Sequence, residues 1–307
     1  MKILLAIDGS EYSEMCAKTL KAFKLSTQTE VTVMTVVPEH VFLGGITIHM
    51  LRRGATAKGQ TREAQEQKAA ELVKEAVEML KTGGVHAESV VRWGKPAEQI
   101  LNEACKMRAD LVVIGARGTG YPHQFPLGSV AQNVMKYADA SVLLVRDKYA
   151  KIRRVLLATD GSKHSDQVTR FLLDLPLPRT SEVVLVTALQ SHIAAWLKTP
   201  TMDLETNQQL LAKLQEAEEW KAWELLTKTK NQFKEKGYGV SSLLLKGEPA
   251  QEILFAASTI NPDLIAVGAK GLTGVEAFLL GSVAQRVARF AKYSVLIGRV
   301  PGYNRSG

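Results

Sequence analysis

Cysteine is scarce in this chain of 307 residues, which contains Cys16 and Cys105 and no other. Neither lies in a CxxC pair or beside a histidine, so the sequence predicts buried helical packing for both thiols and no redox role. The six histidines are scattered without HxxxH or HExxH spacing. No metal site built from protein side chains alone is therefore expected.

Long apolar runs are also missing. No stretch reaches the roughly 18 apolar residues that a membrane-spanning helix needs. The apolar run 3–7 is too short for a signal-peptide core and ends at Asp8. The sequence therefore predicts a cytoplasmic protein without a membrane span.

Charge of one sign is not concentrated in any segment, although the net charge is +8. Lysine and arginine alternate with glutamate in 62–81 and 213–236, as on the solvated face of a helix. We therefore expect no specific nucleic-acid binding. With 46% hydrophobic and 23% charged residues, the composition is that of a globular protein.

An internal repeat dominates the sequence. The segments at 2–10, 94–97, 110–116 and 127–132 return at 154–162, 247–250, 263–269 and 280–285, with an offset of 152 or 153. Repeats define architecture. We therefore expect two domains, 1–147 and 153–300, joined by a short charged link.

Within each copy, strand-like and helix-like segments alternate. In copy one, strands are predicted at 3–7, 30–37, 85–91, 111–114 and 141–145, and helices at 16–23, 61–81, 97–106 and 129–137. This alternation predicts an α/β fold with two tandem, doubly wound, five-stranded parallel sheets of Rossmann-like type. The connections 39–59 and 190–206 are long and do not align, and their role cannot be inferred from the sequence.

Two repeated segments should meet at the carboxyl ends of the strands, where open α/β sheets bind ligands. One is Asp8-Gly9-Ser10 with its copy at 160–162. The other is Gly115-Ala-Arg-Gly, nine residues and Gly-Ser, with its copy at 268–282. Glycines let backbone amides approach an anion, and a helix N-terminus favours negative charge. The pattern therefore indicates a polyphosphate site, although a structural turn duplicated with its domain would give the same pattern.

Several details of this motif leave alternatives open. Ser129 and Ser282 match a capping box with Gln132 and Gln285. Arg117 and Lys270 either add a cation to the site or point into solvent. Walker A, GxGxxG and GxSxG motifs are absent from the corresponding positions.

The motif resembles the ATP-binding signature of the universal stress protein family, and the resemblance covers essentially all of both copies. It implies strand order 3-2-1-4-5 and the binding of ATP, AMP or ADP, with or without Mg. The family's binding positions correspond here to Asp8, Val36, Val37, Gly115, Arg117, Gly118, Gly128, Ser129 and Val130 in copy one, and to Asp160, Thr187, Ala188, Gly268, Lys270, Gly271, Gly281, Ser282 and Val283 in copy two.

The two copies do not match the family equally well. Copy one carries Pro122 and Pro126 in the nine-residue spacer, whereas copy two keeps the family's usual composition. Thr187-Ala188 are expected where copy one has Val36-Val37. Asp8 and Asp160 either accept a hydrogen bond from the ribose or adenine, or shape the turn and cap the following helix.

Three functions are compatible with this sequence. The first is a nucleotide-dependent regulatory protein of the stress response. The second is a slow ATPase or nucleotide hydrolase, for which no repeated catalytic base is present because His123 has no counterpart. The third is a nucleotide-free scaffold with degenerate sites. The protein partner and the stress cannot be inferred.

The last strands, 141–145 and 294–297, lie at the sheet edges in the family's topology. Exposed apolar edges are normally paired or covered. The resemblance therefore implies an intramolecular pseudo-dimer of the two copies, with a further homodimer as an extension of the same argument.

Overall fold

The computed structural model describes residues 1–38, 42–43, 46–47, 62–118, 126–146, 152–190, 204–271 and 280–299. It divides into two compact units. Unit one comprises Met1–Lys21 and Leu25–Val145, and unit two comprises Ala22–Lys24 and Arg146–Gly307.

Unit one is a parallel sheet with helices, in the order that the sequence predicts. Its elements are β1 (Lys2–Ile7), α1 (Glu11–Ala22), β2 (Glu30–Val37), β3 (Phe42–Leu43), β4 (Ile46–Thr47), α2 (Arg62–Lys81), β5 (Ala87–Trp93), α3 (Pro96–Lys106), β6 (Leu111–Gly115), α4 (Ser129–Tyr137) and β7 (Ser141–Val145). The sheet order is β5-β2-β1-β6-β7, with every pairing parallel. The short β3 and β4 pair with each other, antiparallel, outside this sheet.

Unit two repeats the arrangement. Its elements are β8 (Arg154–Ala158), α5 (Lys163–Asp174), β9 (Glu182–Leu189), α6 (Leu204–Glu235), β10 (Gly239–Lys246), α7 (Pro249–Ile260), β11 (Leu264–Gly268), α8 (Ser282–Phe290) and β12 (Ser294–Gly298). The sheet order β10-β9-β8-β11-β12 is again parallel throughout. Both sheets have the strand order 3-2-1-4-5, so the predicted fold class is confirmed.

The central strands of each sheet are short apolar runs because helices cover both faces. In β1, Ile3, Leu4 and Leu5 are completely buried, and in β6 so are the three residues Leu111 to Val113. Helices α1 and α5 bury one stripe each and leave charged side chains exposed. This packing fixes the carboxyl ends of β1 and β6 side by side, which positions the site.

Several predicted details are wrong. Helix α1 begins at Glu11, five residues before the predicted start, because apolar spacing marks only the buried stripe and misses the acidic first turn. Strand β5 covers Ala87–Trp93, two residues later than predicted. Cys105 is exposed rather than buried, while Cys16 is buried as expected.

The two long connections are only partly described. Residues 204–206, predicted as connection, are the first residues of α6. Strands β3 and β4 fall within 39–59. Residues 39–41, 44–45, 48–59 and 191–203 of the connections lie outside the described residues, as do Pro122, His123 and most of the interdomain link.

Candidate functional site

The turn after the first strand has the same backbone in both units. Gly9 and Gly161 have φ values of 76° and 75°, a conformation that favours glycine. Asp8 Oδ1 accepts a hydrogen bond from the Ser10 N–H at 3.0 Å, and Asp160 Oδ1 accepts one from the Ser162 N–H at 2.9 Å. One oxygen of each aspartate therefore shapes the turn, as the structural alternative predicted.

The second oxygen of each aspartate lies against the glycine loop. A Cβ added to Gly118 would overlap Asp8 Oδ2, and one added to Gly271 would lie 2.8 Å from Asp160 Oδ2. The loop after β6 or β11 thus packs directly on the end of the first strand. The structure brings together the two segments that the sequence singled out.

The same loop also reaches the next helix. The Gly128 N–H donates to the Ala116 carbonyl at 2.8 Å, and the Gly281 N–H donates to the Ala269 carbonyl at 2.8 Å. A Cβ on Gly281 would lie 3.2 Å from both Ala269 O and Lys270 Cα. A side chain at Gly281 would therefore be tight against the loop, whereas the nearest atom to a Cβ on Gly128 would be 3.5 Å away.

The predicted capping box is wrong in both units. The N-cap residues are Gly128 and Gly281, so Ser129 and Ser282 are already the first helical residues, and neither helix has a side-chain cap. The Gln132 amide donates instead to the Leu127 carbonyl at 3.1 Å. The first N–H groups of α4 and α8, which include those of Val130 and Val283, consequently carry the positive end of the helix dipole without a capping oxygen.

The second strand extends past the first in both sheets. The last rung between β1 and β2 joins Ile7 to Thr35, so Val36 and Val37 continue beyond it. In unit two the last rung joins Ala158 to Val186, and Thr187, Ala188 and Leu189 continue beyond it. This overhang places strand backbone beside the aspartate turn.

The register corrects one predicted correspondence. Thr187 matches Thr35, since their hydroxyls donate to the carbonyls of Thr159 and Ile7 at 2.9 and 2.8 Å. Ala188 therefore matches Val36, one residue away from the predicted alignment. The sequence could have shown this, because Thr35 stands at the repeat offset of 152 from Thr187.

In unit two a histidine lies among basic side chains whose repeat counterparts, Arg117 and Arg146, are basic as well. Lys270 Nζ is buried, so this lysine does not point into solvent, and Arg299 is 7% exposed. Burial and the positive charges of Lys270 and Arg299 lower the pKa of His164, while Asp160 acts in the opposite direction. His164 and Arg299 were not predicted; a lone histidine gives no motif, but Arg299 repeats Arg146 at the offset of 153 and could have been found from the repeat. Arg117, the counterpart of Lys270, is half-buried.

The comparison with known proteins identifies the family. A model of the universal stress protein family matches residues 1–146 and again residues 151–299. The chain belongs to the universal stress protein family. The two consecutive matches show the tandem arrangement as well.

Individual relatives of this universal stress protein come from bacteria and archaea. Universal stress protein Mb2028c of Mycobacterium bovis is 28% identical over 237 residues, which cover 75% of this chain and 74% of the relative. Universal stress protein MJ0531 of Methanocaldococcus jannaschii is 29% identical over 158 residues, 52% of this chain and 88% of the relative. The crystal structure of a universal stress protein from Archaeoglobus fulgidus has a TM-score of 0.63 at 21% identity and covers 97% of this chain and 98% of its own, which supports the fold.

Metal ligation and membrane insertion find no support in the described parts of this family member. Within those residues no three histidine, cysteine, aspartate or glutamate side chains group closely enough to hold a metal ion. Burial, followed by the charge of Asp8, raises the pKa of the Cys16 thiol far above its ordinary value, so this cysteine stays a packing residue. In the same residues, no helix has the length and hydropathy to cross a membrane.

Proposed function

We propose that both units bind an adenine nucleotide and that the protein is an ATP-binding, nucleotide-dependent regulator in the stress response. The observation that supports this most directly is the helix start at Gly128 and Gly281, which has no side-chain cap and adjoins the folded glycine loop. Backbone amides and a helix dipole at one point favour a phosphate group. ATP, ADP and AMP share this feature, and Mg²⁺ would accompany the triphosphate.

The nucleoside end has its own support. Val36 and Ala188 lie on the strand overhang beside the aspartate turn, where backbone groups can read the edge of a base. The second oxygen of Asp8 or Asp160 can accept a hydrogen bond from a ribose hydroxyl. A carboxylate beside the phosphates would repel them, so we assign each aspartate to the nucleoside. This assignment predicts preference for adenine over guanine.

Unit two is proposed as the tighter site. Lys270 Nζ, buried beside the glycine loop, adds positive charge close to the proposed phosphates. The unit-one spacer contains Pro122 and Pro126, and its residues 119–125 lie outside the described residues. Arg117 supplies the same charge in unit one, so the ranking depends on the spacer, which carries the two prolines in unit one alone.

Two measurements test the proposed function. Mass spectrometry of small molecules released from the denatured, purified protein should detect an adenine nucleotide. Calorimetry should show saturable binding of Mg-ATP and weaker binding of Mg-GTP. Absence of heat with millimolar Mg-ATP, together with no released nucleotide, would contradict the proposal and favour a nucleotide-free scaffold.

A further inference from the structure

Helix α6 carries an unusual share of the exposed apolar side chains. Four of the eight large apolar side chains that are exposed among the described residues lie on this one helix, namely Leu210, Leu214, Trp220 and Trp223. Trp220 is 74% exposed and Trp223 is 46% exposed. Single exposed apolar residues are ordinary, but a cluster of them marks a surface that binds another molecule. The outer side of α6 is therefore a candidate interface.

The inner side of α6 packs on the sheet of its own unit. Ala222, Leu226, Thr229 and Phe233 are buried at spacings of four, three and four residues, and the helix lies against β9 and β10. With about 3.6 residues per turn, the far side of the helix comprises positions 210, 213, 217, 220, 224 and 227. All six residues at these positions are exposed. We call them the outer stripe, and their alternating spacing of three and four is that of a seam between two helices.

Helix α2, the counterpart of α6 in unit one, does not carry these side chains. It has 20 residues, whereas α6 has 32. At the repeat offset of 153, Gln67 and Ala70 stand where α6 has Trp220 and Trp223, and the position that corresponds to Leu210 precedes α2. The apolar residues of the outer stripe are therefore not needed for the fold of a unit.

The outer stripe is complementary to itself in the reverse direction. In chain order it consists of Leu210, Lys213, Ala217, Trp220, Glu224 and Thr227. An antiparallel alignment of two such stripes places Lys213 opposite Glu224, and it places the small Ala217 opposite the large Trp220. Each of these pairs occurs twice, because the arrangement has a two-fold axis between positions 218 and 219. A parallel alignment in register would place Lys213 on Lys213 and Glu224 on Glu224, which is unfavourable.

We propose that the outer stripe of α6 binds the outer stripe of a second copy of this chain, antiparallel, so that the protein forms a two-fold dimer through unit two. The paired region 210–227 is about 27 Å long at a rise of about 1.5 Å per residue. This is a small contact for a stable dimer, so we expect a dissociation constant on the order of 10 µM. The inference does not depend on nucleotide binding.

The first test is sedimentation equilibrium of the full chain between about 1 and about 300 µM, a range that brackets the expected dissociation constant. The wild type should follow a monomer–dimer equilibrium. Trp220→Gln, which copies unit one, should raise the dissociation constant about tenfold or more, because buried tryptophans dominate interfaces. Since Trp220 is exposed, the variant should unfold at the wild-type temperature when both proteins are dilute and monomeric. A wild type that stays monomeric throughout the range, or a dimer that Trp220→Gln does not weaken, would overturn the proposal.

The second test exchanges the charges of the outer stripe. Lys213→Glu and Glu224→Lys each place like charges opposite each other twice, and each should raise the dissociation constant about tenfold. In an equimolar mixture of the two variants every glutamate at these positions faces a lysine, so the mixture should associate as the wild type does. The matched change in unit one is Glu71→Lys, at the counterpart of Glu224, and it should have no effect. A mixture that associates no better than its components would contradict the antiparallel alignment.

Two other occupants of the outer stripe would give different results. If α6 binds a lipid surface, the wild type stays monomeric in solution and sediments with vesicles of anionic phospholipid, and Trp220→Gln does not. If a segment of the same chain covers α6, acrylamide quenches the tryptophan fluorescence equally weakly in dilute and concentrated protein. Under the proposal, quenching is strong in dilute protein and weakens as the dimer forms. Either of the other two results would overturn the proposed dimer.

Discussion

The two aspartate turns have one backbone conformation and two different hydrogen-bond networks. In unit one, Ser13 Oγ accepts from the Asp8 N–H at 2.8 Å and donates to Asp8 Oδ1 at 2.9 Å. In unit two, Ser162 Oγ accepts from the Ser165 N–H at 3.2 Å and caps α5. The two copies therefore share the backbone conformation of the turn but differ in the side-chain hydrogen bonds around it.

The same contrast holds in the packing below the turns. Gly298 at the end of β12 corresponds to Val145 at the end of β7, since each pairs with the glycine that ends the neighbouring strand. A Cβ on Gly298 would overlap the side chain of Val168, whose counterpart by the repeat offset is Cys16. Each unit thus combines one larger and one smaller side chain, with the sizes exchanged.

The largest expected effect comes from breaking this exchange. Gly298→Val places the residue of unit one against Val168 and should destabilise unit two by about 3 kcal/mol through overpacking. Adding Val168→Cys copies the second residue of the unit-one pair as well, and it should recover most of the lost stability. Hydrogen exchange on peptides from each unit measures the opening free energies separately. A double variant as unstable as Gly298→Val alone would show that the exchange is not complementary.

A second difference concerns an ion pair in unit one alone. Arg92 contacts Glu103 Oε2 through Nε at 3.0 Å and Nη2 at 2.8 Å, and the Glu103 side chain is 12% exposed. By the repeat offset, Leu245 and Ala256 stand at these positions in unit two.

Glu103→Ala should destabilise unit one by about 2 kcal/mol, because it leaves the Arg92 guanidinium partly buried without this partner. The double change Arg92→Leu with Glu103→Ala copies unit two and should be close to neutral. Hydrogen exchange of β5 amides at increasing denaturant concentration measures the free energy of unfolding of unit one in both variants. If the double variant loses as much stability as the single one, the pair itself is favourable in unit one.

The third prediction sharpens the comparison of the two proposed nucleotide sites. The Cβ of Gly281→Ala would lie 3.2 Å from Ala269 O, whereas that of Gly128→Ala would lie 3.5 Å from Ala116 O, an ordinary contact. The first change should displace the helix start and lower the ATP affinity of unit two about tenfold, equivalent to one charge-assisted hydrogen bond. The second should lower the affinity of unit one by less. Calorimetry that resolves the two sites gives the ATP affinity of each unit. Equal losses of affinity would show that this contact does not distinguish the two sites.

The smallest expected effect concerns the serines of the two turns. Ser162→Ala removes the N-cap of α5 and should cost about 1 kcal/mol. Ser10 Oγ is buried and has no hydrogen-bond partner among the described residues, so Ser10→Ala should be neutral or slightly stabilising. Exchange rates of amides in the first turns of α1 and α5 measure the difference. Similar costs at both positions would mean that Ser10 also stabilises its helix.

The sequence predicted the fold well because the repeat and the apolar strands are local patterns that tertiary packing reinforces. It also predicted that the aspartate turn and the glycine loop meet. It failed at the helix starts, where Gly128 rather than Ser129 is the N-cap, because the choice depends on the loop geometry on the preceding side. The burial of Lys270 Nζ and His164 Nδ1 could not be predicted either, because it depends on how segments distant in sequence pack together.

The strand order also has a consequence for folding during translation. The first strand of each unit becomes the middle of its sheet, and one of its two neighbours, β6 or β11, is the fourth strand of that sheet to be synthesised. During translation, the edge of β1 or β8 that will pair with β6 or β11 therefore stays unpaired until that strand has left the ribosome. Exposed apolar strand edges promote aggregation in such intermediates. The interval between synthesis of β2 and β6, and again between β9 and β11, is therefore the stage at which this edge is exposed.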